Sequence, residues 1–230
     1  MCGWGRGLNL LFLGYPLEGL RIRVGVMARQ VNVEVLPRGR GRRSSYQVKP
    51  GCGVLLGMVL IAWAIEIADV GFHVFGFDLD ALGIWPRKVH GLSGVFLSPW
   101  LHGGWAHLAY NTVSFLGLGF VMSLAEGTRF LRTTFQLVII SGIGTWLIGR
   151  GGSVHIGASG LIYGYFGYLI LRAWTERRPL WIVTGILVAL ASGGMIWGVL
   201  PSEEGISWEA HLCGFIGGLA LGRKHGQARK

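Results

Sequence analysis

Charged side chains are scarce in this chain. Asp, Glu, Lys and Arg make up 14% of its 230 residues, whereas 51% are hydrophobic. Soluble domains carry about 25% charged residues. Cysteine is also rare, and Cys2, Cys52 and Cys213 supply no disulfide framework. The composition therefore excludes an ordinary soluble domain and a disulfide-bonded secreted domain, and it indicates a membrane protein.

Metal-binding and secretory signatures are missing as well. The chain has no H-E-x-x-H sequence, and His102 and His107, five residues apart, do not share the helix face that a ligand pair needs. No signal peptide is evident. The sequence thus predicts neither a metal site nor a cofactor. The formal charge of +10 would point to nucleic acid in a soluble protein, but its distribution fits membrane topology, so no nucleic-acid partner is predicted.

What the chain does have is a series of apolar segments of about 20 residues, the length that a bilayer core requires. This pattern predicts an all-α membrane protein with six transmembrane helices. We assign residues 53–223 to the transmembrane domain, 1–52 to a basic, disordered cytoplasmic arm and 224–230 to a cytoplasmic tail. The six segments lie at 54–72, 102–122, 131–148, 157–174, 180–200 and 207–221.

The basic residues predict the orientation. With both termini in the cytoplasm, eighteen of the 21 Lys and Arg residues lie on the inner side of the membrane, as the positive-inside rule requires. The basic arm either sets this topology or also binds anionic lipid. Glu66 and Asp69 are expected at the interface, and Glu209 and His155 are expected to be solvated at the outer surface.

Five polar residues then fall at one depth. The second, fourth and sixth helices all run inward from the outer face, and each carries its polar residues in its early turns. Ionisable groups inside a membrane usually face the interior of the helix bundle and are candidates for function. These residues are His102, His107, Asn111, Ser159 and His211.

Small residues on two of these helices allow a serine and a histidine to meet. Glycine stripes let helices approach closely, and a nucleophilic serine needs an adjacent base and an oxyanion site. Ser159 and His211 are the predicted dyad. His107 and Asn111, four residues apart, are predicted to point together at the oxyanion, while His102 is assigned a structural role. The stripes are Gly160, Gly164 and Gly167, and Gly214, Gly218 and Gly222.

These residues resemble the motifs of the rhomboid intramembrane serine proteases. The resemblance implies a six-helix rhomboid bundle without cofactor in which Ser159 is the nucleophile and His211 the general base. It implies that His107 and Asn111 assist the Ser159 N–H at the oxyanion, and that Tyr163 packs against the histidine. The matching runs are His102-Gly103-Gly104-Trp105-Ala106-His107-Leu108-Ala109-Tyr110-Asn111, then Gly157-Ala158-Ser159-Gly160 with Tyr163, and Ala210-His211 with Gly214 and Gly218.

The implied activity is cleavage of transmembrane proteins near the outer face of a bacterial cytoplasmic (inner) membrane, with membrane lipids as further partners. One feature departs from the family. The Trp-Arg pair that many members carry in the first external loop is replaced by Leu92-Ser93-Gly94. Two alternatives stay open: a catalytically silent rhomboid-like protein that binds membrane clients, and a small-solute transporter. The substrate and the oligomeric state stay open too.

Overall fold

Helices dominate residues 51–227 of the computed structural model. The long helices broadly coincide with the predicted segments, but the second and fourth start later than predicted, at Trp105 and Ser159. The helix predicted at 180–200 ends at Ser192 and continues as a 3₁₀ segment, and the helix predicted at 207–221 continues to Gln227, into the residues assigned to a cytoplasmic tail (224–230). The structure describes residues 20–27, 30–37, 51–201 and 205–227. The helices are α1 (Gly51–His73), α2 (Gly94–Leu97), α3 (Trp105–Glu126), α4 (Phe130–Ile148), α5 (Ser159–Glu176), α6 (Pro179–Ser192) and α7 (Trp208–Gln227). Short 3₁₀ segments lie at Leu79–Leu82, Val89–Leu92, Ser98–Trp100, Gly127–Arg129 and Gly193–Val199.

A β-hairpin lies in a separate compact unit, residues 1–48. Strands β1 (Leu20–Met27) and β2 (Gln30–Pro37) pair antiparallel, with Met27 opposite Gln30. Apolar residues alternate along both sequences, a pattern typical of β-strands. The disordered arm predicted at 1–52 does not include this hairpin. The remainder of residues 1–50 and the tail from 228 onward lie outside the described residues.

Within the described residues, three stretches of helix are long and apolar enough to cross a membrane. They are Gly51–His73, Trp105–Ile148 and Pro179–Val199, and the second contains both α3 and α4. Helix α5 lies at the centre of the bundle and buries thirteen of its 18 residues. Helices α5 and α7 fall outside these stretches. The chain is thus an integral membrane protein of helical architecture by the length and apolarity of its described helices.

Helices α5 and α7 meet along the predicted glycine stripes. A Cβ atom built on Gly214 would lie 1.9 Å from the carbonyl oxygen of Gly160, and one on Gly218 would lie 2.1 Å from the carbonyl oxygen of Gly164. Both distances are far below any van der Waals contact, so only glycine permits this approach. The predicted close contact is confirmed, and it fixes the register between the two helices that carry Ser159 and His211.

The long loop between α1 and α3 is fastened to the loop before α5. Ile84 and His155 form an isolated antiparallel bridge, with both N···O distances at 2.9 Å. A Cβ atom on Gly94 would lie 2.3 Å from the Gly83 backbone, so the chain that replaces the Trp-Arg pair packs directly against main chain. The Arg87 guanidinium donates to the Leu147 and Gly149 carbonyls at 3.0 and 2.9 Å. These contacts hold the loop against the end of α4.

Candidate active site

The serine lies at the first residue of α5. Gly157, two residues earlier, has φ of 106°, a conformation that favours glycine, and its N–H donates to the Ser98 carbonyl at 2.8 Å. The sequence analysis began this helix at Gly157, whereas the structure begins it at Ser159 because the positive φ of Gly157 is not helical. The first N–H groups of an α-helix have no partner within the helix, so Ser159 stands beside backbone donors.

The histidine of α7 reaches the serine across the α5–α7 contact. His211 Nε2 lies 2.8 Å from Ser159 Oγ, and His211 Nδ1 lies 2.8 Å from the Gly198 carbonyl oxygen. The Tyr163 ring stacks on the imidazole, with ring centroids 4.1 Å apart and planes 8° from parallel. The imidazole is therefore held on two edges and one face, and it is buried.

The second histidine, His107, lies over the serine turn. A Cβ atom on Gly157 would be 2.8 Å from both Cε1 and Nε2 of His107, and 3.9 Å from Ser159 Oγ. The ring therefore occupies the space that only a glycine at 157 leaves free. Asn111 donates through Nδ2 to the His107 carbonyl at 2.9 Å, and it lines a small cavity together with Ala158.

His102 does not belong to α3. The sequence analysis began the second helix at His102, but Gly104 has φ of 114° and the helix starts at Trp105, so helical spacing from His102 to His107 is not defined. The His102 ring is 2% exposed and meets the His107 ring edge-on, with centroids 5.1 Å apart. It supports the ring that lies over the serine turn.

A network that the sequence analysis missed ties α7 to the loop before α5. Glu209, expected to be solvated, is 1% exposed and accepts from the Arg150 N–H at 3.0 Å. His155, also expected to be solvated, is buried and in contact with Ser207 through Nδ1, and burial lowers its pKa. The expectation was wrong because the short loops fold over the end of α7, which no local sequence pattern signals.

A group of acidic side chains lies at the end of α1, away from the dyad. Glu66 and Asp69, expected at the interface, are buried. Burial, followed by the charges of Asp69, Asp78 and Glu66, raises the pKa of Asp80 to about 6. Within the described residues, donor atoms of Asp69, His73 and Asp78 lie within 4.8 Å of one another, close enough to share a cation. None of these residues touches Ser159 or His211 in the contacts of the described chain.

The arrangement has the parts that acyl transfer needs. The Ser159 hydroxyl lies within hydrogen-bond distance of the His211 imidazole, which can act as a base. A hydrogen-bond acceptor orients the other imidazole nitrogen, and backbone N–H donors lie beside the hydroxyl. The orienting group is the main-chain carbonyl of Gly198 rather than a carboxylate. The fold and the site together define a helical membrane protein with a serine–histidine pair inside the bundle.

Comparison with known proteins identifies the family. The model of the Rhomboid domain matches residues 89–227. An uncharacterized protein of Mycobacterium tuberculosis is 39% identical over 197 residues, which are 80% of this chain and 81% of that protein. RHOMBOID-like protein 5 of Arabidopsis thaliana is 33% identical over 133 residues (54% of this chain, 40% of the plant protein). Rhomboid-like protease 5 of Toxoplasma gondii is 33% identical over 148 residues (59% and 17%). The chain belongs to the rhomboid family.

Proposed function

We propose that this rhomboid-family protein is an intramembrane serine endopeptidase. Ser159 Oγ attacks the scissile carbonyl carbon while His211 Nε2 takes its proton. The tetrahedral oxyanion is bound by the Ser159 N–H with His107 and Asn111. His211 then returns the proton to the leaving amine as the C–N bond breaks, and water hydrolyses the acyl-enzyme in the reverse order of proton transfers.

The observation that carries this proposal is the 2.8 Å contact between Ser159 Oγ and His211 Nε2. The two residues are 52 positions apart in the sequence. Their helices, α5 and α7, are held together by close contacts between main-chain atoms at glycine residues. A nucleophile and a base at this distance are what covalent catalysis requires. The stacked Tyr163 ring further restricts the imidazole to one plane.

The proposal includes a topology. Six spans, cytoplasmic termini and a site in the outer half of the bilayer follow from the distribution of Lys and Arg. The expected location is the cytoplasmic membrane of a bacterium, and the expected partners are transmembrane substrates and lipids. Single cysteines at Lys88 and Arg178 in a background without the native cysteines test it. A membrane-impermeant maleimide should label the first in intact cells and the second only after permeabilisation; the reverse result would contradict the topology.

Substrate access is proposed beside α6. This helix buries only Trp181, Gly185 and Val188, and it packs on α5 through its first half, where a Cβ on Gly185 would lie 2.4 Å from Ala173 Cβ. Its outer end continues as the 3₁₀ segment Gly193–Val199, which has no buried residue. The outer end of α6 is therefore only partly buried, and a substrate helix is proposed to approach the dyad on this side.

The test is cleavage of a model transmembrane substrate by purified protein in liposomes. Ser159→Ala and His211→Ala should each abolish turnover, and the double variant should be no worse, because the two residues act as one unit. His107→Ala and Asn111→Ala should retain activity lowered about 10²–10³-fold, as for loss of one oxyanion donor. Cleavage by Ser159→Ala would refute the proposal. Substrate binding without cleavage by the parental protein would favour the silent, client-binding alternative.

A further inference from the structure

We propose that the main-chain carbonyl of Gly198 is a positioning group for His211 and that it makes the activity of His211 depend on the position of the segment after α6. The inference rests on the proposed protease function and deepens it. Gly198 has no side chain, so the group that contacts His211 is its peptide oxygen, 2.8 Å from His211 Nδ1.

The Gly198 carbonyl determines the tautomer of neutral His211. A carbonyl oxygen can only accept a hydrogen bond, so the 2.8 Å contact places the proton of neutral His211 on Nδ1. Nε2 then carries the lone pair and faces Ser159 Oγ, also at 2.8 Å. In the other tautomer Nε2 would already hold a proton and could not take the one that Ser159 loses. The Gly198 carbonyl thus selects the form of His211 that is a base.

The same carbonyl also faces the charge that His211 gains. When Nε2 takes the Ser159 proton, the imidazolium keeps its Nδ1–H pointed at the Gly198 oxygen, whose partial negative charge faces the new positive charge. The proton then leaves from Nε2 to the amine of the departing segment, and the Nδ1–H bond is unchanged throughout. The carbonyl therefore acts as a positioning group with no proton transfer of its own.

Close contacts surround Gly198. A Cβ atom there would lie 1.9 Å from the Tyr163 hydroxyl oxygen, 3.0 Å from Tyr163 Cζ and 3.5 Å from His211 Nδ1. The segment therefore touches both the base and the ring stacked on it, and no side chain fits between them. Because Gly193–Val199 directly continues α6, a displacement of this end of α6 would withdraw the acceptor from His211.

The matched variants come from the same segment. Gly198→Ala introduces the clash with Tyr163, whereas a Cβ on Gly194 meets nothing within 4 Å, so Gly194→Ala is the control. The least intrusive change is an ester in place of the Gly198–Val199 amide, which weakens the carbonyl as an acceptor and adds no atom. An ester at Gly194–Met195 is its control. Tyr163→Phe combined with Gly198→Ala removes the atom that clashes at 1.9 Å and tests rescue.

Two readouts are measured. The first is the ¹⁵N spectrum of imidazole-labelled histidine, assigned with His211→Gln, which reports the tautomer whether or not the protein is a protease. The second is the rate at which a small fluorophosphonate labels Ser159, per folded molecule, which reports the chemistry without requiring a transmembrane substrate. Cleavage kinetics of a model substrate then separate kcat from KM.

We expect the parental protein and Gly194→Ala to show the Nδ1–H tautomer and equal labelling rates. Gly198→Ala and the Gly198–Val199 ester should show a mixed tautomer and labelling slowed about tenfold, with kcat lowered and KM unchanged. Tyr163→Phe should restore part of the loss in Gly198→Ala. An Nε2–H tautomer in the parental protein, or an ester variant that labels at the parental rate, would overturn the inference. An Nδ1–H tautomer with no turnover by the parental protein would leave it standing and overturn the proposed protease function instead.

Discussion

The α5–α7 contact makes the sharpest prediction for stability. Gly218→Ala would place a Cβ atom 2.1 Å from the Gly164 carbonyl oxygen, whereas real Cβ atoms essentially never come closer than 3.0 Å to another atom. The obstacle is the main chain of α5, so no side chain can rotate away. The helices must therefore separate by most of an ångström at this point.

The size of the effect follows from two opposing terms. Overpacking a tight contact costs about 1–3 kcal/mol and occasionally more, while alanine in place of glycine within a helix gains about 1 kcal/mol. Because the obstacle here is main chain that cannot rotate away, the cost falls at the upper end of that range, and the net loss should be about 2 kcal/mol. A domain of this size loses about 2–4 °C in melting temperature per kcal/mol, so Gly218→Ala should melt about 5 °C below the parental protein.

The matched control is Gly117→Ala on α3. Gly117 is helical and exposed, and a Cβ atom there meets nothing within 4 Å, so only the gain in helix propensity applies and the melting temperature should stay or rise. Both variants are measured by thermal unfolding in the same detergent, alongside fluorophosphonate labelling of Ser159. If Gly218→Ala proves as stable as Gly117→Ala, the reasoning from backbone contact is wrong.

Three further changes test other parts of the structure. Arg172→Met should cost about 3–5 kcal/mol, because it leaves the buried Glu126 and Glu176 without their shared guanidinium; a chemical-denaturation curve that matches the parental one would contradict this. The raised pKa of Asp80 means that its contribution to stability is present below about pH 4 and is lost as the pH rises to about 6. Asp80→Asn should therefore raise the melting temperature at pH 7 but not at pH 4. The increase should be smaller than the raised pKa of Asp80 alone implies, because solvent partly screens this carboxyl group. His102→Ala should lower the unfolding free energy by about 2 kcal/mol through the cavity that it leaves, while cleavage per folded molecule falls by less than in His107→Ala.

The sequence predicted the parts of the site that depend on residue type and spacing. The prediction that polar residues on alternate helices share one depth led to the pairing of Ser159 and His211, which lie 2.8 Å apart, and glycine stripes indicate which helices touch. Helix starts were predicted less well, because Gly104 and Gly157 adopt positive φ values that composition does not reveal. A glycine in a motif indicates that a turn is near, but it does not show at which residue the helix begins.

The contact that the sequence could not predict is the one made by main chain. Every residue carries a main-chain carbonyl, so the amino-acid sequence does not identify Gly198 as the acceptor for His211 Nδ1. The burial of Glu209 and His155 was missed for a related reason. Both residues lie in or beside short loops, and their partners lie 59 and 52 residues away in the chain.

In the proposed topology, a neutral carbonyl suits a site inside the bilayer better than a carboxylate would. An ionised group inside a bilayer is costly unless it is paired, and the carboxylate nearest along the chain, that of Glu209, is already bound to Arg150. The Gly198 carbonyl orients His211 without adding a charge that must be neutralised when the imidazole is uncharged. In the proposed mechanism the Nδ1–H bond to this carbonyl is present before and after His211 takes a proton, so a peptide group stands in the place where soluble serine proteases use an aspartate.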